Sequence, residues 1–208
     1  MSLLGIDPGI AKLGWALLTP DGADLHAAGV IRTATSDGTD AERLQIILAA
    51  LKEVIATHPE EVTLLTVETQ HAQGWTSASD DTAAVLREMR GRAAQTMRIA
   101  AVRGGVVGLA QALGIVVVEV SPQEGKKSLT GRGDASKQQM VEMVWGRFGE
   151  KVAQDAADAV GLALAGAQVV AGRQTQAQAV RQVRAEATAG LPEHVKRAIA
   201  RGQGKGES

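Results

Sequence analysis

Two carboxylates lie on a helix that is otherwise small and apolar. The segment QDAADAVGLALAG (154–166) carries Asp155 and Asp158, three residues apart and therefore on one stripe of a helix. The other sides are also apolar, so the pattern predicts burial on most sides. A buried ionised carboxylate is costly unless a cation or hydrogen bonds compensate its charge. An N-cap would explain Asp155 but not Asp158, and a favourable helix dipole is the simplest alternative for the pair.

Two further acids end predicted strands. Asp7 closes the run LLGID (3–7), and Glu68 closes the apolar run TLLTVE (63–68). If these strands are neighbours in the centre of a sheet, the two carboxylates lie side by side. Gly5 shares a face with Asp7, and we expect it to leave space beside that carboxylate. A solvated strand end is the alternative for either acid.

The four acids together indicate a metal site. Clustered carboxylates without lysine partners repel one another, and a divalent cation relieves that repulsion. Oxygen ligands favour magnesium or manganese over zinc. Two such ions that share a bridging aspartate suit the attack of water on a phosphodiester. The residues therefore predict a hydrolase with two Mg²⁺ ions per site, for which Mn²⁺ would substitute.

Hydrophobic patterns predict the elements that would position these acids. Three short β-like runs joined by tight turns come first and suggest an antiparallel meander. Then follow a helix at 40–58, the strand that ends at Glu68, a polar loop at 69–79, a helix at about 80–113, a strand at 114–120, a polar segment at 121–136, and helical patterns at 135–147 and 154–172. This order predicts an α/β fold with a mixed five-stranded sheet flanked by helices.

Composition limits the possible classes of protein. The absence of cysteine excludes disulfides, thiolate nucleophiles and cysteine-based zinc sites. No apolar run is long enough for a membrane, and no secretory signal is recognisable, so we expect a cytoplasmic protein. The net charge of −1 conceals an asymmetry: residues 1–172 hold 15 Lys/Arg and 20 Asp/Glu, whereas residues 173–208 hold 7 and 3. We therefore predict a separate basic extension at 173–208, helical and then disordered.

Four segments resemble the successive motifs of one family. LLGIDPGIAKLGWAL, TVE, SPQEGKKSLTGRGDASKQQMV and QDAADAVGLALA are similar to motifs of the RuvC Holliday junction resolvases, in the RNase H-like (retroviral integrase) superfamily. The similarity extends from residue 3 to about residue 170. It implies an RNase H-like nuclease domain at 1–172 whose metal-binding catalytic acids are Asp7, Glu68, Asp155 and Asp158.

The resemblance also implies a substrate and partners. RuvC-type resolvases are homodimeric endodeoxyribonucleases that make paired nicks in four-way DNA junctions, and a branch-migration motor is a further expected partner. The long segment between Glu68 and the strand at 114, and the basic extension, depart from the family pattern. These departures are consistent with a divergent or phage-type member.

Basic residues near the third motif are candidates for DNA contact. By the resemblance, Lys126 and Lys137 correspond to basic residues near the scissile phosphate. Lys127 and Arg132 join them around a Gly-x-Gly turn at 131–133, where the backbone can approach a phosphate. A solvated loop is the alternative. A second basic group at 87–103 has only Glu88 as a nearby acid in the sequence, and for it a solvated helix face is the commoner interpretation.

An aromatic residue lies in the polar loop that follows Glu68. No apolar periodicity accounts for Trp75, although packing back onto the domain would explain it. Aromatic rings stack on unpaired bases. We predict that Trp75, helped by His71 and Gln70, enters the centre of the junction. His71 stands where the family often has an aromatic residue.

Three alternatives stay open. The GIDPG turn also resembles the phosphate loop of the sugar kinase, actin and Hsp70 superfamily, although that architecture needs two such domains. An RNase H-like nuclease that acts on other branched or RNA-containing substrates is the second alternative. A junction-binding protein that does not cleave is the third, and the presence of all four acids argues against it.

Overall fold

Five strands within the described residues form one mixed sheet. They are β1 (Ser2–Asp7), β2 (Lys12–Leu18), β3 (Leu25–Arg32), β4 (Val62–Glu68) and β5 (Val116–Val120). The strand order is β3-β2-β1-β4-β5. The pairs β1–β2 and β2–β3 are antiparallel, whereas β1–β4 and β4–β5 are parallel. The predicted fold class, three antiparallel strands followed by two more in a mixed sheet, is confirmed.

The computed structural model describes residues 1–58, 60–69 and 81–189. Within these ranges the helices are α1 (Asp40–Thr57), α2 (Thr82–Ala112), α3 (Pro122–Thr130), α4 (Lys137–Phe148) and α5 (Gln154–Ala189). The chain divides into two compact units, 1–168 and 169–208. The first unit contains all of the strands given above and all of the acids considered below. In the described part of the chain, no helix combines the length and hydrophobicity needed to cross a bilayer.

Successive side chains of a strand point to opposite faces of the sheet, and the two faces carry different residues. Leu4 and Ile6 of β1 are fully buried, and they belong to a core cluster with residues of α1 and α2, such as Ile47 and Val102. Gly5 lies between them and faces the opposite side, where it meets α5. The large apolar side chains thus support one face of the sheet, and the glycine leaves the other face open to close approach by a helix.

Helix α3 was not predicted from the sequence. The polar segment SPQEGKKSLT was interpreted as irregular, but it forms nine residues of helix from Pro122 to Thr130. Ser121 is the N-cap: its hydroxyl accepts a hydrogen bond from the Glu124 N–H, and the Glu124 carboxylate accepts one from the Ser121 N–H. Pro122 occupies the first turn, where its missing N–H costs nothing. The capping box S-P-Q-E was the local signal, and the polarity of the segment obscured it.

Candidate active site

Asp7 and Glu68 lie at the same edge of the sheet. Asp7 is the last residue of β1, and Glu68 is the last residue of β4. The two strands are parallel with Ile6 opposite Val67, so the register places Asp7 beside Glu68. The expectation that these two strands are central neighbours is therefore confirmed.

Helix α5 brings the other two acids to this edge. A Cβ at Gly5 would overlap the carbonyl oxygen of Ala159, and a Cβ at Gly14 would overlap that of Asp155. The helix backbone therefore lies directly on the backbones of β1 and β2. Gly14 is also the partner of Asp7 in the β1–β2 register, so this contact sets the start of α5 close to the Asp7 carboxylate.

This contact agrees with the prediction for Gly5. The glycine leaves room on the face that it shares with Asp7, and the backbone of α5 occupies that room. The expected burial of the helix is confirmed, since Ala156, Ala157, Ala159 and Val160 are inaccessible to solvent. Small residues on every side of α5 thus allow close packing, and Asp155 and Asp158 reach the edge of the sheet as a result.

The four acids are coupled electrostatically at this edge. Burial, followed by the negative charges of Glu68, Asp158 and Asp155, raises the pKa of Asp7 from 3.8 to about 7 against the opposing effect of Lys137. Burial also raises the pKa of Asp158, although Lys137 and Lys126 oppose the change. Burial and neighbouring negative charge both disfavour the ionised form of these carboxyls, and an additional cation would favour that form.

One lysine already supplies positive charge to two of the acids. The Lys137 Nζ atom lies 3.7 Å from Asp155 Oδ1 and 3.6 Å from Asp158 Oδ2. Partial burial would lower the pKa of Lys137, but the charges of Asp158, Asp155 and Asp7 outweigh it and raise that pKa. Lys137 is thus a charged counter-ion within the acidic cluster, and Lys126 of α3 acts on Asp158 through space.

The donor set suits a hard divalent cation. All four side chains offer carboxylate oxygen, which Mg²⁺ and Mn²⁺ prefer, and burial together with neighbouring negative charge raises the pKa of Asp7. As they are placed, no three His, Asp or Glu side chains of the described residues converge on a point where an ion would be held. Coordination therefore requires the carboxylates to turn toward one another, and repulsion among them opposes this turn in a metal-free protein.

Helix α3 is held close to the acids by α5. A Cβ at Gly161 would come 2.6 Å from the carbonyl oxygen of Gly125, so the two helices cross with their backbones nearly in contact. The Ser128 hydroxyl donates a hydrogen bond to the Gly161 carbonyl oxygen at 2.6 Å. Lys126 follows Gly125 directly, and this crossing explains why its charge acts on Asp158.

The other predicted basic contacts are not part of this cluster. Lys127 is exposed on α3. Arg132 is also exposed, but both of its Nε and Nη2 atoms donate to Asp134, at 3.1 and 3.0 Å. Asp134 therefore already neutralises part of the charge that we assigned to DNA. The three residues Gln70, His71 and Trp75 lie outside the described residues.

The arginines of α2 have partners that the sequence did not reveal. We considered Glu88 the only nearby acid, but the structure pairs Arg87 with Asp81, Arg92 with Glu88, Arg98 with Asp40 and Arg103 with Glu119. Two of these acids, Asp40 and Glu119, come from other elements. Much of this basic run is therefore neutralised within the protein.

A buried arginine that sequence reasoning missed supports the turn after Asp7. Arg43 of α1 donates from Nε to the Thr33 hydroxyl at 3.0 Å and from Nη2 to the Ile10 carbonyl oxygen at 3.3 Å. Its side chain is only 7% exposed. The signal was a charged residue in line with the buried Ile47 and Leu51 at helical spacing. Arg43 thus ties α1 to the segment that follows the first acid.

Comparisons with known proteins identify the family. The family model for crossover junction endodeoxyribonuclease RuvC matches residues 3–166. A protein of that name from Chlorobium phaeobacteroides is 33% identical over 170 residues, which span 79% of this chain and 80% of the relative. The structure of Thermus thermophilus RuvC aligns with 28% identity and a TM-score of 0.56, covering 79% of this chain and 92% of that chain.

A second solved structure supports the fold. It is Thermus thermophilus RuvC in complex with a Holliday junction substrate, and it aligns with 24% identity and a TM-score of 0.58 over the same 79% of this chain and 92% of that chain. The matched region contains every strand of the sheet and the start of α5, and hence all four acids. The chain belongs to the RuvC family of crossover junction endodeoxyribonucleases.

Proposed function

We propose that this protein resolves four-way DNA junctions by hydrolysing one phosphodiester in each of two strands, with Asp7, Glu68, Asp155 and Asp158 as the catalytic metal-binding residues. The observation that carries this assignment is the convergence of all four acids at one edge of the sheet, where burial and then the charges of the other three acids raise the pKa of Asp7 to about 7. Glu68 and Asp7 come from neighbouring strands, and α5 contributes the other two acids.

RuvC-family nucleases are metal-dependent hydrolases. We propose two Mg²⁺ ions per site, with Mn²⁺ as a substitute, because every donor in the set is a carboxylate oxygen. When bound, the ions would supply positive charge that stabilises the developing charge on the phosphate and lowers the pKa of the attacking water. The carboxylates of this chain would hold and orient the ions, since the ends of β1 and β4 and the start of α5 bring them to one edge of the sheet.

The basic residues beside the acids are proposed to bind the DNA backbone. Lys137 and Lys126 lie close enough to act on Asp158, so a phosphate near the acids would be within reach of their ammonium groups. Lys127 and Arg132 are exposed further along the same segment and would contact phosphates outside the reacting position. The contribution of Arg132 is smaller in this proposal because Asp134 competes for its guanidinium.

Paired nicks need two sites, and we propose that α2 supplies the surface for a homodimer. Leu86, Met89 and Met97 of this helix are 48%, 46% and 73% exposed. Spacings of three and eight residues place these three side chains on one stripe of the helix. Gly104 and Gly108 continue that stripe, and a Cβ at either would meet nothing within 4 Å, so a second helix could approach closely there.

The loop after Glu68 is proposed to open the junction. Trp75, helped by His71 and Gln70, would enter the centre of the junction, where its ring would stack on unpaired bases. Replacing Trp75 with Ala should then slow cleavage of an intact junction more than cleavage of a junction whose crossover bases are already unpaired. Equal slowing on both substrates would assign Trp75 a structural role instead.

The chain is proposed to consist of a nuclease domain and a basic extension. We assign residues 1–172 to the nuclease domain and residues 173–208, with 7 Lys/Arg and 3 Asp/Glu, to a basic extension that assists DNA binding. A branch-migration motor is a proposed partner, and the cytoplasm is the proposed location.

A panel of substrates tests the proposed reaction. End-labelled four-way, three-way, flap and linear DNA, together with an RNA/DNA hybrid, are incubated with the full chain in Mg²⁺ or in Mn²⁺. We expect symmetrical nicks in the four-way junction, none in linear DNA, and none with the Asp7→Asn variant. Preferred cleavage of the hybrid or of a flap would reject junction resolution in favour of another RNase H-like activity.

A further inference from the structure

The ammonium group of Lys137 lies between two of the proposed metal ligands. Its Nζ atom is 3.7 Å from Asp155 Oδ1 and 3.6 Å from Asp158 Oδ2. The two carboxylates are 22% and 17% exposed, so the lysine neutralises acids that are largely withdrawn from water. A single positive charge therefore lies beside oxygen atoms of both acids, and it attracts the same carboxylates that a bound cation would need.

The contact is electrostatic and easily displaced. Distances of 3.6–3.7 Å exceed those of a good charge-assisted hydrogen bond, about 2.7–2.9 Å, so neither carboxylate holds the ammonium group tightly. Lys137 is the first residue of α4, directly after the N-cap Ser136, and 56% of its side chain is exposed. Its backbone is therefore fixed, while its four-carbon side chain can leave the acids without disturbing the helix.

We propose that Lys137 competes with the divalent ion for Asp155 and Asp158 in the DNA-free protein, and that a DNA phosphate relieves this competition by drawing the ammonium group away. This inference rests on the proposed function, since it assumes that the two acids are metal ligands. The phosphate offers Lys137 an alternative anionic partner at the moment when the metal needs both carboxylates.

The proposal predicts coupling between metal and substrate. If DNA removes a competitor of the metal, then DNA raises metal affinity, and by thermodynamic reciprocity the metal raises DNA affinity. The DNA-free protein would hold metal weakly, and it would acquire a competent site mainly on a bound strand. Lys137 thereby acts as a positioning residue for the metal ligands as well as a contact for the phosphate.

Metal titration without DNA tests the competition directly. Binding of Mn²⁺ to the full chain is followed by the loss of the electron paramagnetic resonance signal of free Mn²⁺, for the wild type and for Lys137→Met, Lys137→Arg and Lys126→Met. We expect Lys137→Met to bind Mn²⁺ about tenfold more tightly, a difference of about 1.4 kcal/mol. Lys137→Arg retains a competing cation and should bind as the wild type does.

Lys126→Met is the matched control because Lys126 acts on Asp158 through space without an ion pair to the acids in the structure. It should change Mn²⁺ affinity by less than about threefold. An equal gain in Lys126→Met and Lys137→Met would overturn the proposal, since general charge would then explain both. Unchanged or weaker Mn²⁺ binding in a Lys137→Met protein that retains a cooperative melting transition would also overturn it.

A further arm separates this inference from the proposed function. Asp158→Asn should abolish Mn²⁺ binding at this site in the wild-type background, and in the Lys137→Met background it should abolish the tighter binding expected there, if Asp158 is a ligand. If the Mn²⁺ affinity is the same in Asp158→Asn as in the wild type, the proposed metal site itself is rejected. Mn²⁺ binding that depends on Asp158 but not on Lys137 would reject only the competition.

Discussion

The acidic and the basic sides of the candidate site are built differently. The acids stand on elements whose backbones touch: β1 meets α5 at Gly5, and β2 meets it at Gly14. Their side chains are short and largely buried. The basic residues stand on α3, on α4 and, for Arg132, on the segment between these helices, and most of their long side chains reach into solvent. The comparison indicates that the fold fixes the proposed metal ligands, whereas the proposed DNA contacts can adjust to the substrate.

The largest effect on stability is expected from a substitution at Gly5, where β1 contacts α5. Gly5→Ala places a methyl group against the carbonyl oxygen of Ala159 and the N–H of Ala163, so α5 must move away from β1. We expect the free energy of unfolding to fall by more than about 4 kcal/mol and the cleavage activity to be lost. Urea denaturation measures the change.

Gly146→Ala provides a matched control for this substitution. Gly146 lies inside α4, where an added Cβ would meet nothing within 4 Å. Its replacement should be neutral or should stabilise the protein by up to about 1 kcal/mol through helix propensity. If Gly5→Ala proved as benign as Gly146→Ala, direct backbone contact would not be what positions the acids.

The second prediction concerns pH and the metal-free protein. The pKa of Asp7 is about 7 in the folded chain against an ordinary value of 3.8, so the folded state binds the proton more tightly than the unfolded state. The stability associated with the protonated carboxyl is therefore fully present below about pH 4 and is lost as the pH rises toward 7. Burial raises the pKa of Asp158 as well, so its contribution to stability depends on pH in the same direction.

Asp7→Asn removes this dependence because the amide does not titrate. In the presence of a chelator, the variant should exceed the wild type in stability by a few kcal/mol at pH 8, and the difference should shrink toward pH 4. Urea denaturation of both proteins across this pH range provides the comparison. A difference that is constant with pH would mean that Asp7 is not in the strained, negatively charged position described above.

The smallest effect is expected from substitutions at the exposed basic residues, which should change only the salt dependence of junction binding. Replacing Lys127 with Ala should reduce the salt dependence of junction binding by about one unit of slope in a plot of log K against log salt. Arg132→Ala should reduce it by less, because Asp134 already neutralises the guanidinium. Fluorescence anisotropy with a labelled junction at several salt concentrations resolves the two slopes. Equal reductions would show that DNA displaces Asp134 completely.

The same contrast explains what could be predicted from the sequence. The strands and the four acids were predictable because strand ends and the alternation of apolar residues are local patterns. Glu68 breaks an apolar run, and Asp158 breaks an apolar helix. The antiparallel meander and the central position of the strand that ends at Glu68 were predicted as well, whereas the full strand order was not.

What was missed depends on distant residues. The contact between Gly5 and Ala159 joins segments that are far apart in the chain, and so do the ion pairs of Arg98 with Asp40 and Arg103 with Glu119. No local pattern contains such partners. The acceptors of Arg43, Ile10 and Thr33, likewise lie outside its own helix. Two local signals could have been recognised: the capping box of α3, and the position of Arg43 in line with the buried residues of α1.

The central claim is that four carboxylates at one edge of the sheet perform metal-dependent cleavage of a junction. Single-turnover cleavage of a labelled four-way junction in Mg²⁺ tests it with Asp7→Asn, Glu68→Gln, Asp155→Asn and Asp158→Asn, alongside the affinity of each variant for the same junction. Each substitution should slow cleavage by at least about a thousandfold, or about 4 kcal/mol in activation free energy, while junction affinity stays within about threefold of the wild type. Full cleavage activity in any two of the four variants would contradict the claim.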